Sequence, residues 1–256
     1  MKKKVLWIVA LALGITTTLQ AQEYKLAKSS GKLVMREVNN VEIEGYNGNE
    51  IIFTRTDGVR EKDQRAEGLR AISSMGLEDN TGIGLSVQEK AGVIEVYQLK
   101  KMDGPRVKIQ VPKGVIVSYA HTSPHGSDIK LKNVESEIEI STVHNGVRLD
   151  NVSGPMTVKT VHGKIEANFN TSMKSPISIV SVHGLVDITV PATIKANVSL
   201  STNYGEIFVD PAIKIDFEGK DEWTRYGADK ISGKVNGGGL DITLSSTHNN
   251  IYLRKK

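Results

Sequence analysis

Imidazoles recur through the second half of this 256-residue chain at near-constant intervals, and clustered imidazoles are what a soft-metal site or a general base requires. The phrases are Thr142-Val143-His144-Asn145-Gly146-Val147, Thr160-Val161-His162-Gly163-Lys164-Ile165, Ser181-Val182-His183-Gly184-Leu185-Val186 and Ser246-Thr247-His248-Asn249-Asn250-Ile251. A fifth, Thr202-Asn203-Tyr204-Gly205-Glu206-Ile207, places Tyr204 where the others have His. The steps between hydroxyls are 18, 21, 21 and 44 residues, the last about two periods. If the repeats stack as parallel strands, equivalent rings come to about 4.8 Å of one another. Tyr is a poor substitute ligand, however, and no acidic residue shares the column. Catalytic sites are not repeated, whereas turn packing is, so the histidines, with His125 beside a turn of its own, are read as structural. No metal and no cofactor is expected.

The hydroxyls offer a second chemistry. A regular ladder of Thr142, Thr160, Ser181, Thr202 and Ser246 could template a flat ligand, ice included. It shares its face with Ile and Val, which favours small inward residues that hydrogen-bond near the turn. Carboxylates are the third candidate, since glycan-cleaving enzymes also use β-helices and need a pair of acids in a cleft. Asp187, Glu206, Asp210 and Asp216 could face one side, but no spacing forces them together. Gly237-Gly238-Gly239 lacks the Lys-Ser/Thr of a phosphate loop, and there is neither a Gly-x-Ser-x-Gly elbow nor a cysteine nucleophile. No catalytic residue is assigned. Val143, Val161 and Val182 form an outward apolar strip, and with Trp223 and Tyr226 they make the candidate contact surface.

The elements that must carry these residues follow from register. With His or Tyr as zero, position −4 holds Ile140, Val158, Ile179, Leu200 and Leu244, and position −6 holds Ile138, Met156, Ile177, Val198 and Ile242. Past the turn, +3 holds Val147, Ile165, Val186, Ile207 and Ile251, and +5 holds Leu149, Ala167, Ile188, Val209 and Leu253. Apolar columns at period two on both sides of a turn mean two half-buried strands per repeat. Asn-Gly, His-Gly, Tyr-Gly and Asn-Asn at the turn tolerate positive φ, which would allow the sharp reversal. The expected fold is therefore all-β, a single-stranded β-solenoid (β-helix-like) of about 20-residue rungs, each burying its apolar face against its neighbours.

Three divisions are expected: a signal peptide over 1–21, N-terminal strands and a helix capping the solenoid over 22–120, and solenoid repeats over 121–256 with an excursion at 210–239. The last rung, Leu240 to Leu253, follows that excursion. Residues 32 to 56 read as a strand pair ahead of the array, and Ile83 to Val87, Val93 to Tyr97 and Val107 to Val111 as alternating strands. Ala66, Leu69, Ile72 and Met75 recur at threes before Gly76, which predicts one short N-terminal helix over 60–75.

Lys2, Lys3 and Lys4 precede an apolar stretch from Val5 to Ile15, the pattern of an export signal cleaved after Ala21. That stretch is shorter than the roughly 20 residues a bilayer-spanning helix needs, so no transmembrane anchor is expected in the mature chain. Its removal takes three lysines and no acid, lowering the formal charge from +4 to +1. A nearly balanced chain makes no electrostatic case for nucleic acid.

Taken with the repeats, Val107-Lys108-Ile109-Gln110-Val111-Pro112-Lys113-Gly114, the Gly-rich Ile231–Gly239 stretch and the terminal Asn250–Lys255 stretch resemble the exported putative-adhesin family of unknown function, whose members are also called toast-rack proteins. The likeness runs from about Val41 to the end. It implies an envelope-located β-solenoid, in the periplasm or at the cell surface, and brings no catalytic residues. The leading expectation is a non-enzymatic binding or scaffolding module that contacts an envelope protein or a glycan. A carbohydrate-active enzyme on the same scaffold and an envelope signalling accessory protein are the alternatives.

Overall fold

The structure, a computed structural model, describes residues 22–58, 64–217 and 229–256. The expected signal and the aromatic pair Trp223 and Tyr226 lie outside them. Among the described residues the chain builds two large sheets, one of ten strands and one of eleven, that face each other across a single apolar core.

Each repeat lays one strand in the eleven-stranded sheet, turns at the His-Gly corner, and lays its second strand in the ten-stranded sheet. Equivalent residues stack in parallel and in the register read from the sequence: Ile138 on Met156 on Ile177, and Val147 on Ile165 on Val186. The −6 and −4 columns are buried throughout, as are Val147, Ile165, Val186 and Ile251; only Ile207 and Val209, at the end of the stack, are partly open. β-branched aliphatics suit such a stack because their restricted χ1 fits a pleated, half-buried surface.

The order of rungs in space is not their order in sequence. Leu240–Ser246 inserts between Ile177–Ser181 and Ala196–Thr202 in one sheet, and Ile251–Lys255 inserts between Val186–Val190 and Ile207–Val209 in the other. The last repeat is thus held one place in from the end, and Asp229–Val235 completes the excursion as an antiparallel strand on the far side of Ala196–Thr202. The beginning of the chain does the same. Ser30–Arg36 and Asn40–Tyr46, expected ahead of the array, form a rung between those of Val93–Gln98 with Arg106–Pro112 and Gly114–His121 with Ile129–Lys132.

No helix forms over 64–75. A single 3-10 turn spans Gln64–Ala66, and Leu69, Ile72 and Met75 are 73%, 59% and 64% exposed. The threefold spacing had no apolar surface to meet, and positive φ at Gly68 interrupts the segment. The Ser73 hydroxyl accepts from the Leu77 N–H and helps fold it into a turn instead. No helix of the described residues is long and apolar enough to cross a membrane.

Candidate functional site

The corner between the two sheets is where the recurring phrase acts. Its inward hydroxyls close the turns from within, Thr142 Oγ1 donating to the Asn145 carbonyl and Thr160 Oγ1 to that of Gly163, each at 2.7 Å, while Ser246 Oγ donates at 3.0 Å to the Gly184 carbonyl of the neighbouring coil. Ser181 Oγ and Thr202 Oγ1 accept from the N–H groups of Gly184 and Gly205. All five hydroxyl residues are at most 3% exposed, so burial and turn closure, rather than a ligand template, account for the column.

Glycine is needed here for a different reason from the one expected. Gly163, Gly184 and Gly205 are not among the residues with positive φ. A Cβ on each would instead stand 2.0, 2.0 and 2.2 Å from the carbonyl oxygen of Asn145, Gly163 and Asn249 on the adjoining rung. Close approach of neighbouring coils, and not left-handed backbone, selects the residue. Positive φ appears in the return segments, at Asn133 (56°) and Asn151 (55°), whose side chains also bond at 2.6 Å.

Outside the hydroxyl column the rings form one continuous ladder. His144 and His162 have centroids 5.5 Å apart, His162 and His183 4.9 Å, His183 and His248 4.6 Å, and His248 and Tyr204 4.9 Å, with interplanar angles of 16°, 6°, 9° and 2°. Insertion of the last repeat is what sets His248 between His183 and Tyr204. The turns beneath are pinned by backbone bonds from the N–H of His162, His183 and His248 to the carbonyls of Val143, Val161 and Val182. Those valines, expected as an outward strip, are half-buried beside exposed rings. His125 makes no ring contact in this ladder, and no group of three or more ligating side chains able to hold a metal occurs among the described residues.

The inward column continues past Thr142 to His121, a residue outside the repeated phrase. It is fully buried, its ring parallel to that of Tyr119, with Nε2 3.1 Å from Asn39 Oδ1. His121 Nδ1 and Asn145 Oδ1 are buried without hydrogen-bond partners. Burial holds the His121 pKa below the ordinary histidine value, against the opposing pull of the Glu37 carboxylate. The histidine thus sits where the first rung, through Asn39, joins the regular array. The repeat pattern does not mark it directly, because its imidazole stands where the phrase has Thr or Ser, and His125-Gly126 follows it by four residues where the phrase has two.

The outer face of the ten-stranded sheet carries the charged side chains. Glu166 is held below the usual carboxylate range by hydrogen bonds from Lys164 and Arg148, and Asp187 is gripped by Arg254 at 2.7 and 3.0 Å. Arg148, Glu166, Asp187 and Arg254, with Asn168 and Thr189, line an open groove of about 330 Å³. The candidate acids are not gathered into a pair. Asp187 is paired with Arg254, Asp210 caps the Ala212 N–H, and Asp216 lies on a strand of the opposite sheet. The Arg148–Glu166 pair falls at the 18-residue step of the repeat, whereas spacing gives no sign of the Asp187–Arg254 pair, whose members become neighbours only through the inserted repeat.

Among solved structures, the chain is similar to a putative cell adhesion protein from Clostridium sporogenes ATCC 15579, at 12% identity over 93% of this chain and 100% of that one, with a TM-score of 0.47. It is also similar to a putative adhesin from Bacteroides fragilis NCTC 9343, at 12% identity over 94% and 98% of the two chains, with a TM-score of 0.39. No curated protein matches the chain. A family model covers nearly all of it, residues 13–254, and the stacked rungs with their repeated corner fit that assignment: the chain belongs to the Toastrack DUF4097 family.

Proposed function

We propose that this protein is an exported, non-enzymatic binding or scaffolding module of the cell envelope, adhesin-like in acting through a repeated surface instead of a pocket. One observation carries the reading: five solvent-facing rings stand in an unbroken ladder beside the half-buried Val143, Val161 and Val182, on a corner fixed by backbone bonds between coils. A preorganised row of ring edges and aliphatic groups can engage an elongated ligand, an envelope protein or a glycan, with little ordering cost. The Lys-rich start and apolar stretch of residues 1–21 support export, with the 22–120 and 121–256 segments remaining to the mature chain.

Binding of the purified chain to washed envelope fragments tests this. Val161→Asp, which places a charge in the middle of the strip, is expected to lower retention at least tenfold while leaving the melting temperature within a few degrees. Equal retention of the two folded proteins would remove the corner from the account. Trp223→Ala tests the remaining part of the contact surface by the same assay.

A further inference from the structure

The two ends of the stack are stepped in complementary senses. Among the described residues, eight rungs are common to both sheets. At the leading end the ten-stranded sheet adds two strands, Ile51–Arg55 and Glu23–Leu26, while its partner adds only Leu85–Lys90. At the trailing end the eleven-stranded sheet adds two, Asp229–Val235 and Ile215–Phe217, while the ten-stranded sheet stops at Ile207–Val209. One sheet overhangs where the other recedes, by one strand at the leading end and by two at the trailing end, where the outermost, Ile215–Phe217, covers only the Gly233–Val235 end of its neighbour. The trailing step is also apolar: Tyr204, Phe208 and Phe217 are 76%, 44% and 65% exposed.

We propose that this protein associates head to tail, the trailing strand Ile207–Val209 of one copy pairing in parallel with the leading strand Glu23–Leu26 of the next. This goes beyond the corner surface, of which the pairing meets only the terminal ring, Tyr204. Strand direction permits it without turning the second copy over. Glu23–Leu26 is antiparallel to Ile51–Arg55, itself antiparallel to Arg106–Pro112, so the leading strand runs the same way as the rungs and as Ile207–Val209.

Register permits it as well. The Glu206 carbonyl and the Asp210 N–H bond inward to Ile251–Lys255, so by alternation the polar groups of Ile207 and Val209 point to the open edge. The Gln22 carbonyl takes the Arg55 N–H, so those of Glu23 and Lys25 point to the opposite open edge. Setting Ile207 beside Tyr24 and Val209 beside Leu26 then aligns four side chains that already pack against the core. In the same register the Ile207 and Val209 N–H groups meet the carbonyls of Glu23 and Lys25. Glu206 comes beside Glu23, which Lys25 offsets at 3.6 Å, and Asp210 comes near Lys28, itself paired with Glu89, so the contact rests on backbone bonds and apolar side chains and not on charge. An unprotected strand edge invites such pairing, and a heterologous contact of this kind does not close on itself.

Sedimentation of the purified mature chain, residues 22–256, over a range of concentrations tests the proposal with two edge variants. Val209→Pro and Lys25→Pro each remove an N–H aimed at the open edge and spare the internal ladder. Wild type is expected to form a concentration-dependent series beyond the dimer, and each variant alone to remain a monomer. An equimolar mixture of the two should give a dimer and nothing larger, because each supplies the end that the other lacks. A wild type that stays monomeric throughout, or a Lys25→Pro chain that self-associates as well as wild type, would overturn it. Far-UV circular dichroism checks folding, and Ile207→Pro and Glu23→Pro stand in for a variant that fails that check.

Discussion

Replacing Gly163 by Ala should be among the most damaging single-methyl changes this protein can suffer. The new Cβ would lie 2.0 Å from the Asn145 carbonyl oxygen, 2.5 Å from its carbon and 2.8 Å from the Gly146 nitrogen, all backbone. Ordinary contact begins near 3.4 Å, so the two coils must part by about 1.4 Å at the corner. The nearby bonds His162 N–H to Val143 (2.8 Å) and Val147 N–H to Lys164 (2.9 Å) then stretch or break. Overpacking costs about 1–3 kcal/mol. Two weakened hydrogen bonds add about 1 kcal/mol each, so the total is roughly 3–5 kcal/mol. Asn249 shows how a side chain is accommodated at the same register position: its N–H is held by Ser246 Oγ and its amide reaches the His183 carbonyl. Alanine has no amide with which to rebuild the turn in that way. Gly146→Ala is the internal comparison, since its Cβ would meet the Asp128 carboxylate, a side chain that can swing aside. It should cost about 1–2 kcal/mol, mainly the bond from Gly146 N–H to that carboxylate. Urea unfolding of both variants against wild type measures the difference. Were Gly163→Ala to lie within about 1 kcal/mol of wild type at unchanged m, the close-approach explanation would be wrong.

Other perturbations probe other layers. Thr160→Val strips the buried oxygen that serves the Gly163 carbonyl and Ser181 Oγ, and should cost about 1–3 kcal/mol by urea unfolding. Asn151→Ala keeps a φ of 55° without the side chain suited to it, and loses the bond to Asn133; a loss of about 1–2 kcal/mol is expected, with Asn151→Gly recovering part of it. His121, lowered in pKa by burial, stays neutral in the fold while the unfolded chain takes up a proton as pH falls below about 6.5. Its contribution is therefore whole above that value and declines as pH falls toward the folded-state pKa. The melting temperature of wild type should drop more between pH 7.5 and 5.5 than that of His121→Gln, and equal drops would remove this role.

Whatever depends on local period was legible in the amino-acid sequence. Ile140, Val158 and Ile179 align from residue order alone because their spacing to the turn is constant, and the same count puts the hydroxyl column on the inward face. The order of coils was not legible. Ile242 and Leu244 fit equally well between Ile177 with Ile179 and Val198 with Leu200, where they lie, or beyond the latter pair in sequence order, since every inward column is aliphatic and a parallel stack accepts any rung. The long-range choice rests on contacts made after the Asp210–Gly239 excursion, which no periodicity encodes. Leu69, Ile72 and Met75 show the converse error, in which a helical spacing existed with no surface to bury it. The corner glycines stand where the pattern puts them but for another cause, because the clash that selects them comes from a different rung and is invisible within one repeat.

Insertion of the last repeat fixes the ring ladder and the trailing end of the stack, and one crosslinking measurement tests it directly. The chain has no cysteine of its own, so introduced pairs report without interference. Ser178 lies directly beside Thr243 on the outer face, while Ser199 lies one strand further away. Adjacent strands are about 4.8 Å apart, within disulfide reach, and alternate strands are twice that. The double variant S178C/T243C should oxidise readily to an intramolecular disulfide, and S178C/S199C should stay reduced under the same conditions. The opposite outcome would mean that the coils stack in sequence order, and that His183 neighbours Tyr204 in place of His248.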